Sequence, residues 1–425
     1  MKDMATLLIK NIILNGQKRD LLIDDNKIAK IDNAISGDAD KVIDGKGKRV
    51  IPGFINTHSH SAMTLTRGKY EDMSLQKWLD KIWNLEAKLD EEMIYWGTKL
   101  AALEMIKSGT TAFVDQYWMI EQGVKATKEM GIRSLHSEVV LDGLDESTFE
   151  KSCAKVIEAH QKSKDWENDF TQFSITCHAA YTVTPKLFKW CADYARKNDL
   201  IFQFHLAESR KETQDSFNQY GLSPTQYIDS IGGMDCKAIA AHAVWVDDKD
   251  IDTLAKRGVT VVHNINSNLK ISSGYKFKYN EFRNRGVNVA LGTDGCGTSN
   301  NLDMIETMKT TAMLQKAWRE NPTSMPLNEL LDMASINGYN AIGVDAGKIE
   351  VGKIADIILI DTFSPVFVPN YNFEANLVYA ANGSCVDTVI CNGRVLMENR
   401  VVEGEREILE NAQYQVDRLS KLINE

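Results

Sequence analysis

The 425-residue sequence predicts an α/β fold: a TIM (β/α)8 barrel with a small β-sandwich domain formed from both chain ends. Two observations carry this expectation. The middle of the chain alternates short β-rich runs with amphipathic helical stretches, the pattern of parallel strands joined by helical crossovers. The two ends instead show short runs punctuated by turn residues, the pattern of small antiparallel sheets.

Along the chain, residues 1–50 contain LLIKNIIL, the turn NGQ, DLLIDD, NKIAKID and KVIDGKGKRVIPG. The same grammar returns in GKIEVGKIADIILID and VDTVICNGRVLMENRVV. Residues 347–405 are therefore expected to join 1–50 in one discontinuous domain, with two separate sheets as the alternative. Residues 51–346 hold eight strand-like runs: VIPGFINTHSH, TTAFVD, IRSLHSEVV, FSITCHAA, IFQFHLAE, AIAAHAV, VTVVHNI and VNVALGTDG. Helical stretches such as EEMIYWGTKLAALEMIKSG and PKLFKWCADYARKN lie between them, and eight strands is the barrel count. The tail, residues 406–425, is expected to be a helix.

Composition narrows the function. A formal net charge of −10 argues against a nucleic-acid backbone as partner, because such binding needs clustered Lys and Arg. A small-molecule substrate is expected instead. The N-terminal MKDMATLLIKNIILNGQ is broken by Lys10 and Asn11, and no later run reaches the roughly 18–20 apolar residues of a membrane span, so neither a signal segment nor a membrane partner is expected. The seven cysteines are odd in number and never in CxxC spacing, which points to the reduced cytoplasm. Exposed barrel helices leave a homo-oligomer open.

In such a barrel, catalytic groups project from the C-terminal ends of several strands. Five of the eight histidines fall at such ends: His58 and His60 on the first strand, His178 on an intermediate one, His205 on the fifth and His242 on the sixth. Asp294 ends the eighth. Alternate residues on a strand point the same way, so His58 and His60 can face one ion. His205 adds a third imidazole and Asp294 a carboxylate oxygen. This set with an open position suits one divalent metal, Zn²⁺ with Fe²⁺ as a close competitor. Taken singly, each of these residues is better explained as a core histidine or a turn; their joint placement is what indicates a metal site. Glu208 follows His205 by three in HLAES and can move protons beside the metal without ligating it; a solvated carboxylate at a helix start is the alternative. His242, in AAHAVWVDD, can hydrogen-bond the water the metal activates or the oxyanion developing at the attacked carbon.

These stretches, with MTLTRGKYEDMSLQKWL, LAALEMIKSGTTAFVD, HNINSNLKISSG and LGTDGCGTSNNLDM, resemble the amidohydrolase superfamily over nearly the whole chain. The nearest branch is that of 5-methylthioadenosine/S-adenosylhomocysteine deaminases, bordering on triazine chlorohydrolases and guanine deaminases. The resemblance implies a metal-dependent hydrolytic deaminase acting on a 6-aminopurine nucleoside. His58, His60, His205 and Asp294 become the ligands. Glu208 becomes the general acid/base in contact with the substrate, with His242 and Asp294 sharing the catalytic work. It also places His178 against the purine ring, Trp78 as an aromatic wall and Glu86 at the ribose hydroxyls, and makes His263 structural. On local sequence alone, Trp78 is an ordinary core residue and Glu86 a solvated helical carboxylate. No lysine stands where a carboxylated lysine would bridge two metals, so a single ion is expected.

Two departures stand out. The branch usually carries an arginine where this chain has Glu138, in LHSEVVLD, and proline where it has Ile265. Losing that cation removes a partner for an amino-acid tail, and Glu138 would repel one, so an uncharged 5′ group is expected (methylthioadenosine, 5′-deoxyadenosine or adenosine). The alternatives are the same site acting on guanine, a pterin or a triazine, a cyclic-amide hydrolase, and a metal-free assembly protein; the last requires broken ligands, and none is broken.

Overall fold

A computed structural model describes residues 6–424. The first five residues of the N-terminal stretch and residue 425, the last of the expected terminal helix, lie outside it. The chain ends build one sheet from β1 (Thr6–Leu14), β2 (Gln17–Asp24), β3 (Lys27–Asp32), β4 (Lys41–Asp44) and β5 (Lys48–Pro52). The barrel follows as β6 (Phe54–Ser59), β7 (Thr110–Tyr117), β8 (Arg133–Val140), β9 (Thr171–Ala179), β10 (Ile201–Leu206), β11 (Ala238–His242), β12 (Thr260–His263) and β13 (Val289–Leu291). The chain then returns to the first sheet with β14 (Ile357–Asp361), β15 (Val386–Cys391) and β16 (Arg394–Met397).

The barrel strands pair in sequence order, β6 to β13, all parallel. Just beyond β13 the Asp294 N–H donates to the His58 carbonyl at 3.0 Å, joining the last strand to the first. Side chains sort by the two-residue strand period. Phe113 joins the apolar layer beneath the outer helices, whereas its neighbours Ala112 and Val114 pack with Ile55, Leu135, Ile239 and Val262. Buried on both faces, strands such as Ala238–His242 and Val289–Leu291 read as apolar runs, whereas Arg133–Val140 carries five polar side chains and is harder to place from sequence.

The terminal sheet is mixed, with order β16-β15-β14-β5-β1-β2-β3, and its hydrogen bonding runs through both chain ends. Asn11, at φ 63°, interrupts β1. The residues before it pair with β4, and Ile13, after it, pairs with β5. One expected element divides: VIPGFINTHSH is two strands, with Lys48–Pro52 in the terminal sheet and Phe54–Ser59 in the barrel. Gly53 permits the crossing, since a Cβ there would lie 2.1 Å from Thr111 Oγ1.

Two further features position the site. The helix Leu75–Glu86 buries Leu75, Trp78, Leu79, Ile82, Leu85 and Glu86, an amphipathic stripe that turns Trp78 and Glu86 inward. The terminal helix Glu405–Asn424 packs on Glu91–Lys107, where Arg418 pairs with Asp90 and Glu92. No helix among the described residues is long and apolar enough to cross a membrane.

Candidate active site

His58, His60, His205 and Asp294 each offer one ligand atom, and these four atoms lie within 4.8 Å of one another. The orienting contacts are as informative as the distances. His60 Nδ1 donates to the Gln116 carbonyl and His205 Nδ1 to the His178 carbonyl, both at 2.7 Å, which leaves each Nε2 facing the group. His58 Nε2 is buried and has no hydrogen-bond partner. Asp294 Oδ1 stands 3.5 Å from His58 Nε2 and 3.1 Å from His60 Nε2. Ligands held about 2.1 Å from one ion at tetrahedral angles would be separated by about 3.4 Å, so the residues fit a divalent metal.

Backbone geometry holds Asp294. It sits in the left-handed region at φ 63°, which an aspartate tolerates. Ser267 Oγ donates to its Oδ2 at 2.6 Å, Thr298 Oγ1 to Oδ2 at 3.2 Å, and the Gly295 N–H to Oδ1 at 2.9 Å. Sequence reasoning did not name Ser267; its only signal is its place in HNINSN, beside the strand end.

Electrostatics follow from burial. Desolvation pulls His58 and His242 down to about 4 and His178 to about 3, and holds His205 well below its usual range, so these rings stay neutral. Burial would lower His60 too, but the hydrogen bond to Asp294 and that carboxylate's charge raise it to about 9. Burial opposes ionisation of Asp294, yet the close imidazoles of His58 and His60 hold it well below the usual range. Glu208 is pushed up to about 8 by burial and by the charge of Asp294. Its Oε2 lies 3.9 Å from His242 Nε2. The Asn268 amide donates to His242 Nδ1 at 2.9 Å, which puts the ring proton on Nε2.

The remaining expected residues line the same cleft. His178 sits beside His205, with ring centroids 4.8 Å apart, and its Nδ1 bonds Thr182 Oγ1. Trp78 is buried, and a Cβ at Gly297 would come within 2.8 Å of its ring. Glu86 Oε1 accepts from the Tyr117 hydroxyl at 2.6 Å, while its Oε2 is buried without a partner and burial lifts the carboxyl to about 7. His263 stays apart, stacked on Phe277 at 3.9 Å, a core position.

Trp83, Trp118 and Tyr181 also face the cleft and were not anticipated. Together with Glu86, Trp83 and Trp118 form a partition between the narrow cleft and a neighbouring chamber of about 670 Å³. Glu138 lines that chamber, at the end of β8, and Lys155 Nζ stands 2.5 Å from its Oε1. A cation is thus present, supplied by the next helix, Phe149–Ser163. Ile265 opens the helix Ile265–Lys270, a first position that also accommodates proline.

The comparisons agree with this geometry. The model of the amidohydrolase family matches residues 49–396. A 5′-deoxyadenosine deaminase of Methanospirillum hungatei is 43% identical over 383 residues, covering 90% of this chain and 85% of that one. A 5-methylthioadenosine/S-adenosylhomocysteine deaminase of Archaeoglobus fulgidus is 41% identical over 98% of both chains. Among solved structures, a zinc-bound adenosine deaminase from Xanthomonas campestris superposes with a TM-score of 0.91 at 28% identity, covering 98% of each chain. A zinc complex of an atrazine chlorohydrolase from Arthrobacter aurescens, at 22% identity and a TM-score of 0.88, shares the fold over 96% of this chain and 100% of that one. With the His-His-His-Asp group at the strand ends of a barrel whose family model spans most of its length, the chain belongs to the amidohydrolase family.

Proposed function

We propose that this protein is a hydrolytic deaminase that converts a 6-aminopurine nucleoside to its 6-oxo product and ammonia, using a single zinc ion. The observation that carries the reading is the pairing of two buried carboxyls along one cleft. Glu208 lies beside the metal ligands, and Glu86, which lines the same cleft, has a buried oxygen without a partner. A heterocycle at the first and vicinal hydroxyls at the second is the outline of a nucleoside. The similarity to proteins named 5′-deoxyadenosine and methylthioadenosine/S-adenosylhomocysteine deaminases supports it.

His58, His60, His205 and Asp294 would hold the ion, which acidifies water and polarises the attacked centre when bound. Glu208 takes a proton from the attacking water and delivers it to ring N1, making C6 electrophilic. Its carboxyl, raised to about 8 by burial, is poised for both directions of that transfer near neutral pH. His242 directs Nε2–H toward the oxygen added at C6, its ring locked by Asn268. The remaining proton of that C6 hydroxyl passes by way of His242 and Asp294 to the amino group; the C6–N bond breaks, C6=O forms and ammonia leaves. His178 and Trp78 flank the purine, and Glu86 accepts from the ribose hydroxyls while Tyr117 steadies it.

The chamber beyond Glu86 would receive the 5′ side. Lys155 is occupied by Glu138, and Lys162 lies 2.8 Å from Glu158 and 3.8 Å from Glu121. Both lysines are neutralised, and the remaining wall includes Trp83, Trp118 and Leu141. That lining favours uncharged 5′ groups over an amino-acid tail, whose carboxylate meets lysines already paired with glutamates. The seven unpaired cysteines support a cytoplasmic setting.

The test is ammonia release by metal-reconstituted protein from methylthioadenosine, 5′-deoxyadenosine, adenosine, S-adenosylhomocysteine, guanine, cytosine and a pterin. Turnover of the uncharged adenosines above S-adenosylhomocysteine is expected. Turnover of only a free base or pterin would overturn the nucleoside reading.

A further inference from the structure

Glu212 belongs to none of the groups assigned above, yet it holds the peptide that carries Glu208. It is the third residue of the helix Arg210–Tyr220, whose N-cap is Ser209. In an ordinary capping box a glutamate here returns to the N–H of the cap residue. Here the carboxylate reaches further back. Its Oε1 accepts from the Ala207 N–H and its Oε2 from the Glu208 N–H, both at 2.8 Å. Glu212 is 8% exposed, so its carboxylate depends on those N–H groups in place of water.

The gripped segment is strained. Ala207 sits at φ 45°, in the left-handed region, which is unfavourable for a residue with a Cβ. The adjoining turn after β11 is similar, with His242 at φ 75° and Ala243 at φ 46°. The two turns are tied together. The Ala243 N–H donates to the Leu206 carbonyl at 2.8 Å, and Val244 and Trp245 donate to the Ala207 carbonyl at 3.1 and 2.9 Å. The carbonyl side of the Ala207 turn is therefore fixed by the His242 strand end, and its N–H side by Glu212.

We propose that Glu212 is a positioning residue: its carboxylate clamps the Ala207 and Glu208 N–H groups and so aims the Glu208 side chain between the metal ligands and His242. The proposal rests on Glu208 being the proton carrier. A glutamine at 212 keeps the shape but turns an NH2 donor toward one of two N–H donors, releasing one side of the clamp.

The experiment compares Glu212→Gln, Glu212→Asp, Ser209→Ala and Glu208→Gln as zinc-reconstituted proteins. Bound metal is measured by elemental analysis, folding by thermal melting, and kcat and KM by ammonia release from 5′-deoxyadenosine. Glu212→Gln is expected to keep one metal per chain and KM within about twofold while kcat falls about 10–100-fold. Glu212→Asp, which keeps the charge but shortens the reach, is expected to show the same kcat-selective loss and decides the matter if the glutamine variant does not fold. Ser209→Ala removes a helix cap and is expected to lower the melting temperature with kcat unchanged. Wild-type kcat in the Glu212 variants, loss of metal in step with activity, or an equal kcat loss in Ser209→Ala would each overturn the proposal. Full turnover by Glu208→Gln would overturn the functional reading itself, and this proposal with it.

Discussion

Gly292 in LGTDG tests whether the metal site depends on close backbone packing. Its backbone is not left-handed, so the requirement for glycine is one of space. A Cβ there would lie 2.4 Å from Asn264 Oδ1 and 2.9 Å from both the N and the O of His58. Ordinary van der Waals contact begins near 3.4 Å, so Gly292→Ala must displace the Asn264 oxygen by about 1 Å and the His58 peptide by about 0.5 Å. The Asn264 amide has no hydrogen-bond partner and can swing away. The His58 peptide cannot, because its carbonyl accepts from the Asp294 N–H at 3.0 Å. Moving it shifts two ligands relative to each other by about the 0.5 Å tolerance of a preorganised site. Overpacking of this kind costs about 1–3 kcal/mol; relieved by displacing the ligands, it weakens metal binding by about 5- to 150-fold. The assay is zinc competition against a chromophoric chelator, with melting temperatures recorded with and without zinc. Zinc affinity within about twofold of wild type, with unchanged turnover, would refute the argument.

Four other outcomes are expected. Glu208→Gln keeps its metal and loses about 10²–10⁴-fold in kcat, whereas His58→Ala loses both; elemental analysis with ammonia release separates them, and metal loss in Glu208→Gln would contradict its role. Glu138→Gln frees Lys155 and raises kcat/KM for S-adenosylhomocysteine relative to 5′-deoxyadenosine; an unchanged ratio would remove Glu138 from the substrate site. Arg133→Met strands Asp356, now held by Arg133 Nε at 2.9 Å in full burial, and costs about 3–5 kcal/mol by denaturant unfolding; unfolding at the wild-type midpoint would show the pair is dispensable. The metal-free protein loses stability as pH rises from 6.5 to 8. In that window Glu86, Glu208 and Glu212, raised to about 7, 8 and 7 mainly by burial, and His60, raised to about 9, bind protons more tightly folded than unfolded. The depressed histidines act in the opposite sense, but only below their unfolded value near 6.5. Zinc binding favours deprotonated ligands, so the zinc-induced rise in melting temperature grows over the same window; a gain independent of pH would exclude this linkage.

The strand ends were legible because their physics is local. A parallel strand buried on both faces is an apolar run, and the two-residue period carries His58 and His60 to one side whatever surrounds them. The metal group follows once the strands are placed in order. Residues reaching the cleft from elsewhere were not legible in this way. Trp78 and Glu86 entered only through resemblance, and Trp83, on the same helix, was missed, because that helix's rotation is set by packing against the barrel mouth. Glu212 was missed as well, since S-x-x-E reports a helix start and not how far back the carboxylate reaches. The division of VIPGFINTHSH at Gly53 was hidden too, because the apolar run VIPGFI continues across it and the cause lies at Thr111, distant in sequence.

Glu138 shows where this division of labour matters for function. From sequence it stood for a missing cation. In the fold the cation is there, because the crossover helix Phe149–Ser163 lays Lys155 against the end of β8, and the carboxylate neutralises it. On the proposed reading, selectivity would depend on a pair and not on one position: replacing either member alone leaves the opposite charge uncompensated in the chamber wall. The reaction chemistry sits on strand ends, where a ring of parallel strands fixes it. The substrate's far side meets helices and the residues just past the strands, where one charge can change without disturbing the metal. On the proposed reading, one barrel would keep its metal and proton carrier while the wall around Glu138 and Lys155 would decide which nucleoside reaches them.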